Sequence, residues 1–279
     1  MFDSPLEGEF TQGTVFSCAH AENYPIAGVL GLVITARCDA AQDKVPVFSY
    51  VPVVSISRWM MHDGALIVLE RIEADLINTF ANNLRDFSLS DSLIKSHEMS
   101  VIYDVHLRKY EDDRGKKSKC EKIKGVIDSL EECRYIKSNP KEVDRLTCLL
   151  RKFDEKVTSV VRDLTDNKLS GYYLLRDLTS LNDEDGTDFV ALLREVHHVA
   201  TPIAKKIAHG LHREAVATAH VVCPAFYGND ELSMPIAKLR SPWIEHLMQN
   251  FTLLFSRIGV KNNNYMEVKR SLYKIGIGG

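Results

Sequence analysis

The chain has 279 residues, of which 45% are hydrophobic, enough to bury a sizeable core as one large domain or as two. Its 35 basic and 38 acidic side chains leave a formal charge of -3, which excludes a global attraction to nucleic acid or to an anionic membrane, so that either partner would need a local patch. The most apolar stretch, Val45 to Ile56, falls well short of the roughly 20 residues that span a bilayer. The acidic start MFDSPLEGEF lacks the basic and apolar regions of a signal peptide, so no membrane contact and a cytoplasmic address are expected.

Residues 1 to 12 read as an irregular lead-in, and Thr14 to Cys18 as a first short strand. Two β-branched runs follow, Val29 to Thr35 and Val45 to Ile56, each long enough to be a buried strand. Three strands with short links and no helical pattern between them predict an antiparallel meander that curls into a small barrel. Pro46 and Pro52 remove two backbone donors from the third run, which predicts an edge strand or a bend there.

The hydrophobic period changes after Trp59. Leu66, Leu69, Ile72, Leu76, Ile77 and Phe80 recur every three or four residues and give one helical face over Ala65 to Phe87. Residues 108 to 124 are dense in both charges. Helical signals resume near Ile123, stop at Ser138-Asn139-Pro140, and restart in a stripe from Val143 to Leu164, which predicts a helical hairpin projecting as an arm.

Tyr172 to Leu175 returns to strand character, and Asn182 to Gly186 reads as an acidic turn. Phe189, Leu192, Leu193 and Val196 read as a helix capped by Thr187 or Asp188, with His197 and His198 side by side at its end. Thr201-Pro202 opens another helix ending near Gly210, with His209 and His212 three apart beside its end. Val216 to Phe226 is strand-like and is expected to pair with Leu232 to Leu239 across Gly228-Asn229-Asp230. Ser241 and Pro242 start a last core helix whose broad apolar face runs from Trp243 through Leu247, Phe251 and Phe255 to Ile258, with Gly259 after its end. Lys261 to Asn264 reads as a turn and the final IGIGG as frayed or docked in extended form. The expected fold is therefore α+β: a small antiparallel β-barrel-like body from residues 1–59 and 170–279, with residues 60–169 inserted as a helical arm and a C-terminal core helix.

No HExxH, P-loop, GxSxG or GxGxxG motif is present, and no cofactor is expected. The six cysteines have no zinc-ribbon spacing and are expected to be free thiols. Cys18, His20 and Cys38, with Asp39, form one candidate metal set if the first two strands pair. Arg37, Cys38 and Asp39 form a second candidate, a loop that contacts an anion or carries a nucleophile, since an adjacent arginine lowers a thiol pKa. The simpler readings are buried thiols for the first and a turn capped by Asp39 for the second.

The order Gly13-Thr14-Val15-Phe16, a proline-containing loop, Gly31-Leu32-Val33-Ile34-Thr35 and Val51-Pro52-Val53-Val54 resembles the strands of the SH3-like barrel in PemK and MazF toxins, over residues 13–57. The resemblance implies cleavage of RNA by an arginine just before the second strand and a serine or threonine ending the third. Ser55 or Ser57 matches the latter; Gly28-Val29-Leu30 stands where the arginine would be. Two functions follow as expectations. One is a non-enzymatic adaptor or regulatory subunit that binds another protein, in a bacterial toxin-antitoxin or phage-defence assembly. The other is a barrel ribonuclease with Arg37, Asp39 and Ser55 near its groove.

Overall fold

The computed structural model describes residues 1–24, 27–41, 45–178, 187–216 and 222–255. The turns expected at Asn182 to Gly186 and Lys261 to Asn264, the helix end at Ile258 and Gly259 and the terminal IGIGG lie outside them. Strands β1 (Phe2–Asp3), β2 (Thr14–Phe16) and β3 (Leu30–Val33) precede a short helix α1 (Arg37–Ala41) and the long β4 (Val47–Ser55). Helix α2 (Ile56–Trp59) leaves β4 without a break and passes through a π-helical turn, Met60–Gly64, into α3 (Ala65–Arg85). Then come α4 (Met99–Ile102), α5 (Lys117–Ser138), α6 (Val143–Lys152) and α7 (Asp154–Thr165). The chain returns through β5 (Tyr172–Leu175), β6 (Phe189–Leu192) and β7 (His197–Ala200) to α8 (Thr201–Ala208). It closes with β8 (Leu211–His212), β9 (Leu232–Ser233), β10 (Pro235–Leu239) and α9 (Trp243–Leu253).

The fold is α+β, with an open, curled antiparallel half-barrel sheet in the order β1-β10-β2-β3-β4-β6-β5, and β7 also paired to β4. On the side away from β3, β4 is bonded first by β7, from Val47↔Ala200 to Tyr50↔His197, and then by β6, from Val53↔Ala191 to Ser55↔Phe189. Val51 and Pro52 fall in the interval between those partners. The strand expected to lie at an edge or to bend is thus central, and its inner proline stands where one neighbour replaces the other.

Both faces of the sheet are covered, which is why its strands read as continuous apolar runs rather than alternations. Phe16, Val33, Tyr50 and Val54 face one core, shared with Trp59, Val68, Leu69 and Ile72 and continuous with the buried residues of α5, α6 and α7. Val15, Leu32, Val51, Val53, Phe189 and Leu239 face the other, which Ile244 and Leu247 of α9 close.

Three expectations are corrected. Phe189 to Leu192 is a strand buried on both faces, so His197 and His198 lie on a strand, with side chains on opposite faces. Leu232 to Leu239 pairs elsewhere among the described residues, β9 with β8, and β10 with β2 and β1, while residues 217–221 of the strand expected before it lie outside the described residues. In α9 the N-cap is Pro242, and the apolar face is only partly covered, with Trp243 38% and Phe255 60% exposed.

Candidate functional site

Antiparallel pairing of β2 with β3 puts the end of one beside the start of the other. Cys18 and His20 therefore lie at one end of β3, and Arg37, Cys38 and Asp39 at the other, exposed on α1. Ser55 is at the far end of β4 from α1, fully buried, with its hydroxyl 3.1 Å from that of Ser57. Ile34 accompanies Ser49 across the sheet, and six residues at about 3.3 Å each separate Ser49 from Ser55, so Arg37 and Asp39 do not converge with Ser55. The Cys38 thiol lies 3.6 Å from the carboxylate of its neighbour Asp39. Cys18 is buried in the backbone network of its loop, where its carbonyl accepts the Ala225 N–H at 2.7 Å. Burial, then Asp230, pushes its thiol up to about 11. Among the described residues, no three His, Cys, Asp or Glu side chains are placed to hold a metal, and the cysteines are free. His209 and His212 line a cavity of about 360 Å³ together with Glu7 and Leu232.

What the fold does gather is a junction of three segments: the loop after β2, the π-turn after α2, and the short connection from β6 to β7. Tyr50, fully buried on β4, fastens the first segment. Its hydroxyl accepts the His20 N–H at 3.2 Å and lies 3.3 Å from the His20 carbonyl, to which it donates. One Glu195 carboxylate oxygen accepts the Glu22 N–H at 2.6 Å and meets His197 Nε2 at 2.6 Å, so it ties the β6–β7 connection to the same loop. The His20 ring stands edge-on to the His197 ring at 5.0 Å, and Tyr50 packs against His197 at 5.6 Å. Cys223 beside Tyr50 is buried, and burial pushes its thiol up to about 12, so it remains a thiol at neutral pH.

The π-turn carries His62 and Asp63. Wide turns of this kind recur at functional sites. Tyr24 is buried with its ring 4.7 Å from His62, and its hydroxyl has no hydrogen-bond partner among the described residues. Burial raises the Tyr24 and Tyr172 phenols, and the Asp63 carboxylate that both of them face raises them further. Beside this polar group a groove of about 520 Å³ opens between α3, α5 and α6. Asn23, His62 and Asp63 form its polar end, and Leu66, Ile136 and Val143 belong to its apolar wall. Leu66 is 46% and Val143 52% exposed.

The chain matches no known protein family, curated protein or solved structure with which it was compared. Function has to be argued from this junction alone. No helix of the described residues is long and apolar enough to cross a membrane. The histidines were noticed in the sequence, but the pairing of Glu195 with His197 depends on strand alternation, and the helical reading hid it. The groove carries no motif. Its residues belong to four separate segments, and the periodicity that set Leu66 on one face with Leu69 gave no sign that Leu66 stays exposed.

Proposed function

We propose that this protein is an adaptor or regulatory subunit that binds another protein through the groove between α3, α5 and α6. The observation that carries this reading is the pair of exposed aliphatic walls, Leu66 and Val143, facing a concave apolar surface with a polar end. Grooves of this form take apolar side chains of a helix or an extended segment. A bacterial toxin-antitoxin or phage-defence assembly is the proposed setting, supported only by the resemblance of residues 13–57 to the toxin barrel. Because α5 and α6 share the core with α3, deleting the hairpin would expose Leu69 and Ile72; point changes in the wall are the cleaner test. The tagged Leu66→Asp/Val143→Asp double variant is expected to fold normally by circular dichroism. It should lose, by tenfold or more, the protein that co-purifies with the wild type, as quantified by mass spectrometry. An undiminished complex would end this reading.

A second reading, metal-free cleavage of RNA, is favoured by the histidine pair. An imidazole oriented by Glu195 and a second imidazole at 5.0 Å supply the base for a 2′-hydroxyl and the acid for a leaving 5′-oxygen. Labelled RNA incubated with wild-type protein should then yield 2′,3′-cyclic phosphate ends, and His197→Ala should not. Inert wild-type protein would remove this option.

A further inference from the structure

The polar end of the groove holds the carboxylate of Asp63. Further along α3, Glu73 pairs with Arg134 and Lys137, and Asp75 pairs with Lys156. Asp63, half-buried on the π-turn, is faced instead by the hydroxyls of Tyr24 and Tyr172, and among the described residues it forms no ion pair. Partial burial strips water from a charge. An arriving ammonium or guanidinium group therefore finds a strong acceptor already held in place. Asp63 and Leu66 are three residues apart, which puts acid and apolar wall side by side.

We propose that the groove selects a basic residue of its partner. An aliphatic side chain enters between Leu66, Ile136 and Val143, and a lysine or arginine about one helical turn away on the partner docks on Asp63. This rests on the protein-binding reading above and adds to it the chemistry of the segment bound. The exposed His62 ring, tilted against Tyr24, borders the same position.

Three small probes separate the contributions of charge and chain: n-hexylguanidinium, n-hexanol and hexanoate. They are titrated into the full-length protein and followed by amide resonances of Leu66, Leu69 and Ile136. Hexylguanidinium is expected to bind at the groove about tenfold or more tighter than hexanol, and hexanoate more weakly than either. Asp63→Asn keeps the size of the side chain and removes its charge. It should erase the advantage of the guanidinium and leave hexanol unchanged; Asp63→Glu should restore most of it. Equal affinities of hexylguanidinium and hexanol, an advantage that survives Asp63→Asn, or no perturbation of the groove by any probe would overturn the inference. The co-purification test on Leu66→Asp/Val143→Asp judges the protein-binding reading separately. A complex lost in that variant but indifferent to Asp63→Asn would keep the groove and discard its preference for a cation.

Discussion

Gly31 shows how closely the sheet is packed beneath the histidine pair. A Cβ there would sit 2.4 Å from the Phe16 ring and 3.0 Å from the Tyr50 ring, which are themselves stacked edge to face at 5.2 Å. Gly31→Ala is therefore expected to cost about 1 to 3 kcal/mol through overpacking, measured as a lower midpoint in urea. The same change should broaden the His20 resonances, because Tyr50 is what fastens the His20 backbone. At this scale the sequence was partly legible. Tyr50 and Phe16 stand in apolar runs and read correctly as core. The link from Tyr50 to His20 spans 30 positions and has no local signature.

Among the elements, α3 and α5 illustrate what periodicity does and does not reveal. The apolar stripe of α3 was plain. The dense charges of residues 108–124 left no apolar stripe to read there, yet Cys120 and Ile123 are buried, and farther along α5 Arg134 and Lys137 reach back to α3. Glu73 accepts from Lys137 at 2.8 Å and from Arg134 at 3.2 Å, and the Lys137 ammonium, ahead of Arg134, holds its carboxyl below the usual carboxylate range. A carboxyl whose pKa falls on folding adds stability above its unfolded pKa and loses it as pH drops through the folded value. Glu73→Gln should cost up to about 1 kcal/mol at neutral pH, given the partial exposure of the partners. The gap to the wild type should close in urea titrations below the usual carboxylate range. The strand β6 was misread for a different reason. Phe189 to Leu193 is one unbroken apolar run, and a short run buried on both faces has neither a two-residue nor a 3.6-residue period to distinguish it.

For the whole molecule, the α+β class followed from the early meander and the change of period after Trp59. The closing of the sheet did not, because β10 reaches β2 from more than two hundred residues away and only a register, not a pattern, records it. The helices inserted between β4 and β5 share a core with the sheet, and Trp59, fully buried, lies within it. Loss of helix and loss of the sheet core should therefore be one event. In a Trp243→Phe variant, urea transitions followed by far-ultraviolet dichroism and by Trp59 fluorescence are expected to coincide. Separated midpoints would show instead that the insertion melts by itself.

The position of β4 gives the molecule a mechanical property. This strand carries Tyr50, the partner of His197, in its first half, and its last residue runs without a joint into the helix that leads to the π-turn. The histidines, bonded to this strand, and the π-turn at the end of the groove, continuous with it, thus share a single stiff rod paired along both sides. A tug delivered at one of them reaches the other as displacement of that rod and is not absorbed by slack between them.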